Sequence, residues 1–557
     1  MQLKFLDLLF IFCFFAVVVG VSLYKSRRES NSEEYFLAGR NLLWPVIGFS
    51  LIADNISTEH FVGLAGQAAG EIGMAVANYE WISVICMVVI AIFLLPRLLS
   101  AGIYTMPEFL EYRYSATVRA LMAIYTVLIY GFVTISAVMY SGALMYQTLF
   151  GDLHNTNDLL IGIFIIALIA TVYATWGGLK AVAWAGLFQG ATLLAGAALT
   201  TLIGFHALGT IDGHSTSLAG VSTGGLDTGY LSVVASGVHS FLHFNSAKLH
   251  LVLPANNLIL PWTSLVVGFG LWIPCFYYWG LNQTITQKML AAHTLKQGQF
   301  GTIFAAVLKA TIPVIIVFPA IMAAQLYRGQ LTNPDQAYAV LIKNLLPPGA
   351  RGLMVAAISG AVIGVIGSML NSASTIFTMD LYKRHWRKSA SSNSLVVIGR
   401  CMTVVFALIG CAIAPILGQQ SFKGIFNFIQ EFQGFLSPGV AAAFVFGLTV
   451  KRAPPLAGVA ALVLSPILYS VLMIFFGNIP FLIASGITIR TLAFLDRMTI
   501  VFVTILTVMT VITCWRPLPN PQLMPVRAGF DMKPAPSVRL MGAIVVGAMV
   551  VLYVKFW

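Results

Sequence analysis

Six polar residues, Asp54, Asn55, Ser57, Thr58, Glu59 and His60, stand in the middle of an otherwise apolar stretch, WPVIGFSLIADNISTEHFVGLAGQAAG, running from Trp44 to Gly70. The stretch is long enough to span a bilayer, which takes roughly 20 helical residues, and a plain lipid anchor gains nothing from such a centre. These side chains are therefore expected to face protein or a water-filled cavity and to mark a binding site or a permeation path. Tyr79, Glu80 and Ser83 fall on one helical face, since residues three and four apart meet on a helix. An intramembrane carboxylate such as Glu80 needs donors around it, and a hydroxyl-rich ligand supplies them. Lys309, alone in GTIFAAVLKATIPVIIVF, can balance Glu80 or bind a hydroxyl. Gln430 and Phe426 set an amide and a ring on one face, and Tyr278 and Trp279 offer flat apolar surface of the kind that packs on a ring-shaped ligand. Each also has a plainer role: the aromatic pair as packing or interfacial belt, Gln430 as a bond between helices, Glu80 with Lys309 as a structural pair.

The elements that must position these groups are membrane spans. Of 557 residues, 59% are hydrophobic and only 9% charged, and the mean hydropathy is +0.89, which excludes a soluble multidomain protein. Apolar stretches of spanning length fall near 4–24, 44–68, 73–97, 118–150, 157–175, 181–207, 261–287, 300–326, 351–381, 397–417, 424–449, 454–477, 495–515 and 538–556, about fourteen by the length criterion. The net charge of +12 comes largely from short loops rather than from a nucleic-acid surface. Lys25/Arg27/Arg28/Arg40, Arg97/Arg113, Lys288/Lys296, Lys383/Arg384/Arg387/Lys388 and Lys451/Arg452 follow odd-numbered spans, which places those loops in the cytoplasm and both termini outside. Arg328, Lys343, Arg351 and Arg490 are the minority on the outside. Residues 4–24 read as a retained first helix, because basic residues follow the apolar run. The six cysteines show no CxxC pair, so neither a disulfide framework nor a zinc site is indicated.

Two spans have unusual interiors. The glycines Gly48, Gly63 and Gly66 are expected to let span 44–68 open, and LWIPCFYYWGLNQTITQ (Leu271–Gln287) carries Pro274, Gly280 and polar Asn282, Gln283 and Thr284. Interrupted helices build the central sites of secondary transporters, and an odd offset from one to the other, here five spans, turns the second half upside down. The chain is accordingly one polytopic domain: inverted repeats at about 44–207 and 261–449, flanking helices 4–24, 454–477, 495–515 and 538–556, and an external loop 208–257.

Read in order, EEYFLAGRNLLWPVIGFSLIADNISTEHFVGLAGQ, NYEW, GIYTMPEFLEYRYS, YATWGGLKAV, FYYWGLNQTITQKMLAA, SMLNSASTIFTMDLYKR and GLTVKR resemble the sodium/solute symporter family, in its sodium–glucose cotransporter-like, bacterial-type branch. The resemblance implies an all-α membrane protein with a LeuT-type inverted-repeat core of two halves of about five helices, working by alternating access. It puts sugar contacts at Asn55, His60, Glu80, Ser83, Tyr278, Trp279, Lys309 and Gln430. Leu64, Tyr79 and Phe426 match an outer hydrophobic gate and Tyr278 an inner one, while Cys275 replaces an asparagine of some bacterial members. The family's sodium ligands would fall on carbonyls of Ala53 and Ile56 and on Ala361, Gly364 and Val365. The last two positions carry hydroxyls in the family, and an acidic residue on the ion's exit path is replaced in Trp184-Ala185-Gly186. Losing two of about five oxygens removes most of a weak site's affinity for a hard cation. Asp54 lies beside those carbonyls and offers a carboxylate that replaces a lost ligand or takes up a proton, or else one that caps or bonds a neighbouring helix.

The expected function is a secondary transporter of the inner (plasma) membrane that moves a hexose-like sugar, with uniport or proton coupling favoured over sodium. Its partners are a small sugar and the bilayer, with no nucleic acid, no tightly bound cofactor, and Na+ or H+ as the coupling ion if there is one. A sugar sensor without coupled transport is one alternative. A symporter for a polyol or another small solute is the second, although the spans lining the pocket hold no arginine to take a carboxylate. An enzyme fits least, for want of a nucleophile–base arrangement. Glu80→Ala is expected to abolish sugar binding and leave folding largely intact.

Overall fold

The computed structural model describes residues 3–26, 32–150, 156–215, 229–257, 259–266, 270–331, 333–417, 425–477, 491–526 and 533–557. Among them, eleven helices are long and apolar enough to cross a membrane, and a twelfth span is the pair Asn427–Gln433 and Ser437–Thr449, bent by 46°. The two spans missing from that set are the two whose interiors are polar, and both are interrupted.

The first begins at Trp44–Asn55, where Pro45 fits the opening turn because its missing N–H would have no partner there. It stops when Ile56 turns extended (φ −83°, ψ 98°) and resumes at Glu59 in a wide π-type turn, Glu59–Leu64, that runs into Ala65–Ala69. The break therefore falls at Ile56–Thr58 and not at a glycine. Gly48 and Gly66 serve close packing instead: a Cβ on Gly48 would meet Phe304 at 2.4 Å, and one on Gly66 would meet Asp335 at 2.0 Å. In the second interrupted span, Trp272–Phe276 and the π-type turn Tyr277–Leu281 end at extended Asn282. Gln283–Leu290 then restarts, with Asn282 Oδ1 accepting from the Thr284 N–H at 3.0 Å as an N-cap. The Tyr130 hydroxyl binds the same joint, 2.6 Å from Asn282 Oδ1 and 3.2 Å from the Thr284 nitrogen.

Three features depart from the sequence expectation. Spans 157–175 and 181–207 are two spans as expected, Asn157–Thr175 and Gly178–Thr210, but no loop separates them: the run Thr156–Ser215 turns at Gly178 through a backbone conformation (φ 49°, ψ −163°) open to glycine. The region 208–257 is not all loop, because Tyr230–Phe244 is a helix laid against that run. It was hidden by its shortness and its Gly/Ser-rich flanks. Two small residues let the backbones touch: a Cβ on Gly237 would lie 1.8 Å from the Phe205 carbonyl oxygen. Gly237→Val is expected to push the helices apart and lower stability by about 1–3 kcal/mol, read as a fall in thermal midpoint; an unchanged midpoint would show that the contact is not formed.

The third departure concerns two cations counted as loop residues. Arg113 is buried and donates to the carbonyls of Gly447 (2.7 Å), Val450 and Ala453 (3.4 Å), closing the C-terminal end of Ser437–Thr449. Lys288 is fully buried inside Gln283–Leu290. Arg27, Arg28 and Arg490 lie outside the described residues. The chain ends are tied down as well. Asp7 accepts from the N–H groups of Gly349 (2.8 Å) and Gly352 (2.9 Å) and from Arg351 (2.8 Å), and the Leu251 N–H donates to Phe556 O at 2.8 Å.

Candidate functional site

The interruption at Ile56–Thr58 brings Asn55 from one half-helix and Glu59 and His60 from the other to the wall of one cavity, about 510 Å³ including the part open to solvent. Helix Asn78–Val89 contributes Tyr79, Glu80 and Ser83, and the second interrupted span contributes Pro274, Cys275, Tyr278 and Trp279. Lys309 enters from Leu295–Ala310, and Gln430 and Gln433 from Ile425–Gln433. All eight residues expected to touch a sugar thus line a single pocket. Tyr79 lines it too, whereas Leu64 is fully buried one turn away and the Phe426 side chain lies outside the described residues.

Glu80 and Lys309 form the centre. Lys309 Nζ stands 2.7 Å from Glu80 Oε2 and 2.7 Å from Asn55 Oδ1, and lies over the Trp279 ring at 5.0 Å. His60 Nε2 is 3.4 Å from the other Glu80 oxygen. Glu80 is therefore not a lone charge, and removing it would strand a buried ammonium; the expectation that Glu80→Ala leaves folding largely intact fails on this ground. Ser83 Oγ donates to Tyr79 O at 2.7 Å, and the Cys275 thiol lies 3.8 Å from the same carbonyl. The Tyr278 hydroxyl reaches Asp54 O at 3.4 Å, and its ring meets Trp279 edge-on with centroids 5.5 Å apart. Gln430 Oε1 and His60 Nδ1 are buried with no hydrogen-bond partner among the described residues, which leaves both available to a ligand.

Two further residues complete the wall. Glu59 stands out in the sequence only as part of the polar centre of its span, and Gln433, not singled out from the sequence, follows Gln430 by three, on the same face. The helix that carries the two glutamines is anchored from outside. Arg497 grips Glu431 with two bonds of 2.7 and 3.0 Å, and Tyr469 donates to the same carboxylate at 3.0 Å.

Beside the pocket, Asp54 turns away from it. Its Oδ2 lies 2.5 Å from Lys288 Nζ and its Oδ1 accepts from Ser368 Oγ at 2.7 Å, while Lys288 also donates to Ser50 O at 3.1 Å. The residues matched to sodium ligands, Ala53, Ile56, Ala361 and Val365, are all buried. Gly364 brings no side chain, and a Cβ there would meet Gln189 Oε1 at 2.4 Å, so the Gln189 amide fills the space a hydroxyl would need. Val365 presents hydrocarbon.

Comparison with known proteins agrees with this architecture. Residues 35–459 match the model of the "Sodium:solute symporter family". A sodium/glucose cotransporter of Vibrio parahaemolyticus is 36% identical over 473 residues, 81% of this chain and 82% of that protein. Sodium/glucose cotransporter 1 of Sus scrofa is 31% identical over 80% of this chain and 68% of its own. The structure of a Na+-coupled sialic acid symporter in its substrate-bound outward-open state superposes with a TM-score of 0.75 at 19% identity, covering 94% of this chain and 100% of that one. The fold is accordingly the LeuT-type inverted-repeat transporter fold, and the relatives are carriers, not enzymes. The protein is a multi-pass membrane transporter and belongs to the sodium:solute symporter family.

Proposed function

We propose that this transporter carries a neutral, hexose-like sugar by alternating access without sodium coupling, in the plasma (inner) membrane and with both termini outside. The observation that carries the reading is the ring of donors and acceptors around one cavity. Asn55, His60, Glu80, Lys309 and Gln430 present both kinds of partner that a hydroxyl needs, and Tyr278 and Trp279 supply ring-sized flat surface. Among the described residues the cavity wall holds no arginine, which favours a neutral solute over a carboxylate. In this reading Tyr278 closes the pocket toward the cytoplasm, and Leu64, Tyr79 and Phe426 close it toward the outside.

Sodium independence rests on the fit of the ion's expected surroundings. A hard cation needs several oxygens to replace its water, and the side chains at positions 364 and 365 offer none, with Gln189 packed into the gap. Uniport is favoured over proton coupling through Asp54, because that carboxylate is already matched by Lys288 and Ser368. Uptake of labelled hexose into proteoliposomes tests this. Equal initial rates with and without an inward sodium gradient, and counterflow against preloaded sugar, are expected. Uptake that requires the sodium gradient would overturn sodium independence, and binding without counterflow would mark a sensor rather than a carrier.

A further inference from the structure

The pair Asp54–Lys288 takes no part in lining the sugar pocket, yet it occupies the seam between the two interrupted spans. Asp54 belongs to the end of Trp44–Asn55, Lys288 to the restarted half Gln283–Leu290, and Ser368 to Ala350–Ile376. The ammonium sits 2.5 Å from Asp54 Oδ2 and 3.1 Å from Ser50 O, and Ser368 Oγ holds the second Asp54 oxygen at 2.7 Å. Both charged side chains are almost completely withdrawn from solvent, at 0% and 2% exposure. Ser50 Oγ is buried with no hydrogen-bond partner among the described residues, so a further oxygen stands on the residue whose carbonyl already binds the ammonium.

We propose that the Lys288 ammonium is a resident cation: it fills a latent oxygen-lined cation site between the three helices and, being covalently held, replaces an exchangeable alkali ion. This rests on the reading of the carrier as sodium-independent and supplies its cause. A buried carboxylate, a helix carbonyl and a hydroxyl are the ligand types a hard monovalent cation takes, and neither half of such a pair is tolerated alone. The tether joins both interrupted spans to Ala350–Ile376, which gains a second link where Gln287 accepts from Ser372 at 3.0 Å.

The test removes the tethered charge and asks whether a free one takes its place. Purified Lys288→Ala is melted in sodium, potassium and choline chloride, and the wild type is melted alongside. The wild type should melt at the same temperature in all three. Lys288→Ala should be less stable in choline and gain at least about 3 °C from a small alkali cation at roughly 100 mM, with a saturable dependence on its concentration. The double variant Asp54→Asn/Lys288→Ala, which has no charge to balance, should lose the cation response. If Lys288→Ala does not fold, Lys288→Gln keeps the bulk without the charge and is read in the same way. An absent cation response in the single variant, or one of equal size in the wild type, would overturn the proposal. Melting needs no substrate, so the result stands apart from the sugar assignment: absence of hexose uptake by the wild type would defeat that assignment and leave the cation response to decide this one.

Discussion

Glu80→Gln is expected to lower hexose uptake at subsaturating concentration by roughly 100-fold, because under the proposed sugar assignment it removes a charge-assisted partner for a sugar hydroxyl and releases Lys309 from its position. The carboxylate holds Lys309 Nζ at 2.7 Å and His60 Nε2 at 3.4 Å, so the loss spreads to the two neighbours it orients. Glutamine keeps the shape and one acceptor. Alanine does neither, and leaves a buried ammonium whose exposure to an apolar wall costs about 3–5 kcal/mol. Stability and recognition are therefore separable only if thermal midpoint and uptake are measured on both variants. The expected pattern is lost uptake in each, with a far smaller drop in midpoint for Glu80→Gln. Wild-type uptake by Glu80→Gln would remove this residue from the sugar site.

Arg119→Leu should destabilise the protein by about 3–5 kcal/mol, since it strands a fully buried carboxylate. Arg119 Nε donates to Asp380 Oδ1 at 2.6 Å, Thr105 Oγ1 donates to the same oxygen at 2.8 Å, and Arg119 Nη1 binds Glu111 at 2.7 Å. Burial alone would raise the Glu111 carboxyl, but its contacts with Arg119 and Arg384 outweigh it and hold that group below the usual carboxylate range. The cluster joins Met106–Arg113 and Ala116–Ile129 to the far end of the long helix that begins at Ala350. The double variant Arg119→Leu/Asp380→Asn should recover part of the loss, because it removes the orphaned charge along with its partner. Equal midpoints for Arg119→Leu and wild type would show that the carboxylate finds another donor.

Much of this arrangement was legible because lipid makes polar groups conspicuous. Asp54, Glu80 and Lys309 stood out as charges in apolar surroundings, and both interruptions were marked by polar runs within spanning-length stretches. Partnership was legible only in part. Charge balance alone suggests Lys309 as the partner of Glu80, 229 positions away, but Asp54 meets Lys288 across a similar distance and was missed, because periodicity carries no information at that range. Lys288 was misread because QTITQKML is polar enough to pass for the end of a span; its burial follows from tertiary packing around Gln283–Leu290. Gly48 and Gly66 misled in the opposite direction. Glycine permits both a broken helix and a close approach, and here Phe304 and Asp335 occupy the space that the missing side chains leave.

The joint at Asn282 has one more implication. Its amide and the Tyr130 hydroxyl already satisfy the backbone where the helix stops and starts again, at 2.6 to 3.2 Å. A change of angle there would break no rung of the helical ladder, so the resistance to it comes from side chains that pin Gln283–Leu290 to its neighbours, Lys288 to Asp54 and Gln287 to Ser372 among them.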